Sequence, residues 1–215
     1  GHKAIFAAQS WRTLQAIGWE HAEPVLRCLA YALLDHGKDK PGPVGPYEEN
    51  LRNASKIGPD WQAGRPDPAA TLALLEALRE ASPEEASEKV VEMLGQGIAP
   101  GSLWDAALLF AGELMMRNPG IIAVHATTAA NALHFIHGAS GDETTRKMAL
   151  LQAVGWQPLY RERVKSPTPL KIDAIPDDVP SAARSEAVER IFDAVGRDRA
   201  RAAAETVAYL TTGGS

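Results

Sequence analysis

Apolar residues recur at three- and four-residue spacing through most of this chain, and the regions that break the pattern are rich in proline and glycine. That periodicity puts one apolar stripe on each of a series of helices and fits no strand alternation. From Lys3 to Ile17 the stripe is Ile5, Phe6, Trp11, Leu14 and Ile17, with Gly18 as the stop. A second helix is expected from about Glu23 to Leu34, with Pro24 accommodated in its first turn. The apolar set is 45% of 215 residues but only 6% are aromatic, so alanine and leucine dominate it. That usage favours packed helices over a sheet built from β-branched and aromatic side chains, and the expected fold class is all-α: a bundle-like multi-helix domain with a C-terminal helical pair.

The segment from His36 to Pro68 carries Pro41, Gly42, Pro43, Gly45, Pro46, Gly58, Pro59, Gly64 and Pro66, and is expected to be a long irregular connection with one short helical turn. Helices resume over Ala69 to Glu80. Ser82, Pro83 and Glu85 then form a capping box with proline at the first helical position, opening a helix that ends near Gly95. Ser102 is the expected cap of a helix running to Arg117. The next spans Gly120 to His137, nearly apolar all round and expected to be deeply buried. Gly138 and Gly141 separate it from one spanning Asp142 to Arg163, which Pro158 should bend or end. Lys165 to Pro180 contains four prolines and reads as a linker. The expected division is therefore a domain over 1–164, a linker over 165–180, and an appendage over 181–215 made of helices near Ser181 to Val195 and Asp198 to Leu210.

The net charge of −5 leaves no basic surplus for a phosphate backbone, which argues against a nucleic-acid partner. No apolar stretch reaches the roughly 18 to 20 residues of a membrane span, and the start lacks a signal-peptide pattern, so no membrane association is expected. Cys28 is the single cysteine and lies in the apolar run Val25 to Leu34, where the expectation is a small buried hydrophobe. An intramolecular disulfide is impossible, which suits a reducing, cytoplasmic setting.

Five of the six histidines, His2, His21, His125, His134 and His137, lie within apolar helix-forming sequence, and only His36 sits at a solvated helix end. A helical fold can aim imidazoles from separate helices at one ion, which makes a metal site the leading expectation; hydrogen-bonded core histidines in a non-catalytic scaffold are the rival. At about 100° per residue, His134 points to the side of its helix opposite His125, and His137 lies about 120° from His125 and close to His134. One straight helix cannot bring both groups to one ion. His2 and His21 flank the first helix, separated by up to about 28 Å at full helical rise. Glu113 is a carboxylate among Phe110, Leu114 and Met115 and is a weaker ligand candidate, as are His134 and His137.

The chain has no P-loop lysine motif, no G-x-S-x-G, no G-x-G-x-x-G and no H-E-x-x-H. With one cysteine, a metal must use nitrogen and oxygen ligands, a set that suits non-haem Fe(II) and leaves manganese and zinc open.

Asn118-Pro119-Gly120, followed by His125-Ala126-Thr127-Thr128 and Asn131-Ala132-Leu133, resembles the histidine-x-x-threonine segment of the questin oxidase-like family. Gly1-His2-Lys3 and Trp19-Glu20-His21-Ala22-Glu23-Pro24 are similar to that family's other histidine-bearing helices, and the likeness spans Gly1 to Arg163 with gaps. The resemblance implies an all-helical oxygenase whose non-haem iron is held by several histidines, completed by a carboxylated lysine, and which oxidises polycyclic aromatic compounds. Carried over by position, it implies His2, His21 and His125 as ligands, with Lys147 where the lysine is expected. The chain is shorter than full-length relatives of that family, which implies a portion normally joined to an electron-transfer partner. On this reading an apolar pocket around Trp104, Phe110, Met115 and Phe135 takes an apolar or aromatic substrate.

Overall fold

A computed structural model describes residues 1–34, 46–164, 170–175 and 184–213. The regular elements among them are all helical, and Arg65 and Ile98 form an isolated bridge. The chain divides into two units, Gly1–Pro167 and Thr168–Ser215. His36 and most of the 165–180 tract lie outside the described residues. No helix among the described residues is long and apolar enough to cross a membrane.

The first unit contains α1 (His2–Ile17), α2 (Ala22–Leu34), α3 (Tyr47–Lys56), α4 (Pro68–Leu78), α5 (Pro83–Gly95), α6 (Pro100–Arg117), α7 (Ile121–Ala139), α8 (Glu143–Gly155) and α9 (Gln157–Arg163). Several starts follow their local chemistry. Ser82 and Glu85 exchange both bonds of the expected capping box, and Asp67 and Asp142 accept backbone amides at the starts of α4 and α8. Ser102 does not cap α6. That helix begins two residues earlier at Pro100, and the Ser102 hydroxyl accepts the Asp67 amide at 2.8 Å, tying α6 to the start of α4.

The helix expected over 142–163 is two. α8 ends at Gly155 and Pro158 occupies the first turn of α9, where its missing N–H costs nothing. The ten-residue α3 replaces the single turn expected after the proline tract. Its inward face is polar: Asn50 and Asn53 are fully buried and joined through Ser87, at 2.5 Å from the Ser87 hydroxyl to Asn50 Oδ1 and 2.9 Å from Asn53 Nδ2 to Ser87. A helix that buries amides leaves no apolar stripe to read.

The core is built where α6 packs against α4, α7 and α8, and where α8 meets α3, α5 and α7. Leu74, Leu75, Leu78, Leu103, Phe110, Leu150 and Leu151 are fully enclosed there. Between Gly64 and Ile98 the backbones nearly touch: Ala99 donates to Arg65 at 2.8 Å, and a Cβ on Gly64 would lie 2.6 Å from the Ile98 carbonyl carbon, so only glycine fits.

α7 is less enclosed than its composition implies. A stripe of Ala123, Ala126, Ala129, Ala130 and Ala132 is buried while Ile121 stays 67% exposed, because small side chains let neighbouring helices approach from some sides only. Helix α2 has no buried residue; its neighbours are α1 and the 3₁₀ turn Trp19–His21. Cys28 is exposed, contrary to expectation, since among the described residues the apolar run around it meets only α1 and that turn.

The second unit pairs α10 (Arg184–Val195) with α11 (Arg199–Gly213) through Ala187, Ala194, Ala202, Ala204 and Ala208, with Arg190 held to Glu205 at 2.9 and 3.1 Å. Its apolar seam is alanine, and Phe192 is left exposed.

Candidate functional site

Helix α7 carries three of the candidate histidines and aims them at different neighbours. His125 faces α1. Its Nδ1 lies 2.7 Å from the carbonyl of Ile121, which can only accept, so Nδ1 carries the hydrogen and the lone pair of the neutral ring is on Nε2. That Nε2 lies 2.8 Å from Nε2 of His2, with the ring planes at 80°. Bringing His2 to this point depends on how α1 seats on α7: Arg12 donates to Asn131 at 2.6 Å and its guanidinium lies 4.4 Å from the Phe135 ring centroid, while Ala8 and Leu14 are buried. The pair is accessible, with His2 exposed and His125 half-buried.

Two nitrogens on adjacent corners of one ion, at metal–nitrogen bonds of roughly 2.1 Å and a right angle, lie about 3.0 Å apart. The 2.8 Å separation fits that spacing to within a few tenths, and equally fits a hydrogen bond from His2 to His125. The pair can thus supply two ligands whose second ring nitrogen, on His125, is already fixed by a carbonyl, the usual outer partner of a metal-bound imidazole.

The other candidates lie apart from this pair. No group of three or more histidine, cysteine, aspartate or glutamate side chains converges among the described residues. His21 is exposed in the 3₁₀ turn beyond the far end of α1. Lys147, on α8, donates to the carbonyl of Ile57 at 2.8 Å, which bridges α8 to the end of α3. Glu113 is fully buried but spends its oxygens on arginine: Arg79 reaches it at 2.7 and 3.2 Å and Arg117 at 2.6 Å. Arg79 also pairs with Glu76, so this network clamps the end of α4 to α6. Glu23 pairs with Arg27 at the surface.

His134 and His137 face α6 instead, one turn apart, with ring centroids 4.9 and 5.3 Å from the Trp104 ring in edge-on contact. His137 also meets Trp61 at 5.7 Å, and its Nδ1 bonds the carbonyl of Arg146 at 3.2 Å. Burial lowers the His137 pKa, and the nearby Arg146 charge lowers it further, against the bond to Arg146 O, which raises it. Trp61 donates to Glu143 at 2.7 Å, the main reason that carboxylate sits below its usual range. These rings form an aromatic cluster between α6, α7 and the 3₁₀ turn Trp61–Ala63.

A cleft of about 400 Å³ opens between the start of α1, α7, α8 and α9. Gly1 and Ala129 line it, placing it one helical turn from His125 and beside His2. Its wall includes Leu133, Gln152, Trp156, Gln157 and Tyr160, and burial raises the Tyr160 phenol, keeping it protonated. A second cleft of about 300 Å³ shares Tyr47, Leu133 and Gln152 with it. The pocket expected around Trp104, Phe110, Met115 and Phe135 is not this one: none of the four lines either cleft, Trp104 and Phe110 are core, and Phe135 lies beneath Arg12. Gln152 and Gln157 escaped sequence reading because glutamine carries no motif.

No family model, curated protein or solved structure matches the chain.

Proposed function

We propose that this protein is a helical oxidoreductase in which His2 and His125 hold a non-haem iron that acts with dioxygen on an apolar small molecule. The observation that carries this reading is the apposition of the two Nε2 atoms at 2.8 Å, between helices far apart in sequence. The questin oxidase-like resemblance of the segments bearing these two histidines supports it as well. When bound, the iron supplies Lewis acidity and a site for dioxygen. The chain's own part is to orient its ligands. Ile121 O fixes the His125 tautomer, and the Arg12 contacts with Asn131 and Phe135 hold α1 in register with α7. Nitrogen ligands also suit manganese or zinc, and an oxygenase of this kind needs an electron donor, supplied by a partner domain or protein.

The test is metal analysis of protein purified anaerobically without a histidine tag. Near-stoichiometric iron, lost in both His2→Ala and His125→Ala, is expected. Full occupancy in His125→Ala, or a wild type that cannot be reconstituted with Fe(II), manganese or zinc, would sink the assignment.

A second reading is favoured by a specific observation: no third ligand joins the pair among the described residues, while Trp11, Trp19, Tyr31 and Leu34 on α1, α2 and the turn between them are exposed. That pattern suits a non-catalytic scaffold with hydrogen-bonded histidines. It predicts no shift in thermal stability on adding Fe(II) or a chelator, because only a ligand of the native state stabilises it.

A further inference from the structure

The clefts of about 400 and 300 Å³ adjoin as one trough, since Tyr47, Leu133 and Gln152 line both. Its long walls follow from helical spacing. Ala129, Leu133 and Ile136 recur at four and three residues along α7, and Thr145, Met148 and Gln152 do so along α8, with Trp156 one turn further at the cap. At 1.5 Å per residue the stretch from Thr145 to Trp156 is about 17 Å long. Apart from glutamine and threonine, these two walls are apolar or aromatic. Charge enters at one end. Among the described residues, exposed Lys3 is the one charged side chain that lines the trough: it belongs to the larger cleft, with Trp156 and Tyr160, and the smaller cleft at the Thr145 end has none. Tyr160 stands against the start of α1, where a Cβ on Gly1 would lie 3.2 Å from its Oη, and the positive charge of Arg163 acts on the same phenol.

We infer that this trough binds a single straight alkyl chain ending in a carboxylate, with the chain laid along α7 and α8 and the carboxylate beside Lys3. An elongated apolar trough suits a chain that buries methylenes along its whole length, and offers a compact polar molecule few groups to bond. The sign of the head group follows from the lining, because a cation with no acidic side chain around the trough attracts an anion and repels a cationic head. The Lys3 ammonium, on its flexible four-carbon stem, meets a carboxylate at the mouth without leaving water. The inference goes beyond the proposed oxidation: binding needs no metal, and only the further role of such a chain as substrate rests on the iron reading.

The experiment is calorimetric titration of metal-free protein with hexanoate, octanoate and decanoate below their micelle concentrations, and with 1-decanol as the uncharged control. Saturable binding is expected, strengthening about 3- to 4-fold with each methylene added. Lys3→Glu, at an exposed position, should weaken decanoate about 5-fold, the reversal of one exposed ion pair, and leave 1-decanol within about 2-fold of wild type. High salt should shrink the difference. Leu133→Trp, which fills the junction of the two clefts, should weaken both ligands at least about 10-fold by excluding part of the chain. Its circular dichroism melt reports whether it folds, and Lys3→Glu decides the question where it does not. The inference is overturned if decanoate does not saturate or if affinity does not rise with chain length. Lys3→Glu weakening neither ligand or both alike, or wild-type decanoate binding by folded Leu133→Trp protein, overturns it too. Because metal is absent throughout, failure of iron to bind leaves this result standing, and failure here leaves the histidine pair untouched.

Discussion

The two sides of α7 use the same residue type for different ends. Toward α1, His125 meets His2 nitrogen to nitrogen at an accessible margin, with its other nitrogen fixed by Ile121 O. Toward α6, His134 and His137 meet Trp104 ring edge to ring, and Trp104 is only 2% exposed. The first arrangement sets the His125 Nε2 lone pair against the His2 ring nitrogen and buries little. The second covers the buried Trp104 ring, with His134 itself exposed and His137 half-buried, and engages a nitrogen of His137 with backbone. A histidine count therefore does not distinguish these two settings, whereas the atom each ring presents does.

The comparison breaks most readily at Trp104. Truncating it to alanine should cost about 3–5 kcal/mol in urea unfolding, the range for a large aromatic removed from a packed core. It should leave the His2–His125 side intact, so iron bound per folded chain should not change. A Trp104→Ala protein that is as stable as wild type would mean the α6 side is not a packing cluster.

On the other side the effects should reverse. His125→Ala should lower iron affinity by more than about 100-fold, since even outer-sphere partners of a metal ligand are worth 10- to 100-fold. Its cost in metal-free stability should stay near 1 kcal/mol, one modest hydrogen-bond set at a half-buried position. A loss of several kcal/mol with no change in metal would make His125 another structural histidine.

What could be read from sequence follows the same division. Helical periodicity located α1, α2 and α4 to α7 closely, because each turns apolar or alanine-rich residues to a neighbour. It also placed His125 and His134 on opposite sides of α7. It missed α3, whose buried face is Asn50 and Asn53, and misplaced Cys28, because periodicity reports an apolar stripe but not whether anything covers it. It could not show that His2 would reach His125 and that His21 would not, since that depends on how α1 seats on α7. Glu113 was correctly placed among apolar neighbours, and Arg117 one turn along the same helix is within sequence reach, but Arg79 comes from the end of α4, and only three-dimensional packing reveals that pairing.

Lys147 sharpens the comparison from α8. Its ammonium bonds Ile57 O at 2.8 Å, so Lys147→Met should cost about 0.5–1.5 kcal/mol and leave iron binding as in wild type. Iron binding lost in that variant, together with a carbamate on the lysine seen by intact-protein mass spectrometry in bicarbonate buffer, would return Lys147 to the ligand set.

The smallest effect is a pH dependence confined to the α6 side. Burial holds the His137 pKa below its ordinary value, with the Arg146 and His134 charges acting in the same direction and Glu143 and the bond to Arg146 O opposing. Above the ordinary imidazole range His137 is neutral folded and unfolded, and pH does not matter. As pH falls through that range, from about 7 toward 5, the unfolded chain takes up a proton that the folded chain resists, so stability declines. The decline from this group ends once the folded ring also protonates. His137→Phe keeps a ring edge against Trp104 and removes the titration, so its unfolding free energy should vary less with pH over that window than wild type's, whatever its absolute value. His125→Phe should leave the slope contributed by His137 in place. If the His137 variant keeps the full wild-type slope, the acid sensitivity of this fold lies elsewhere, and the aromatic cluster is indifferent to the charge on its own histidine.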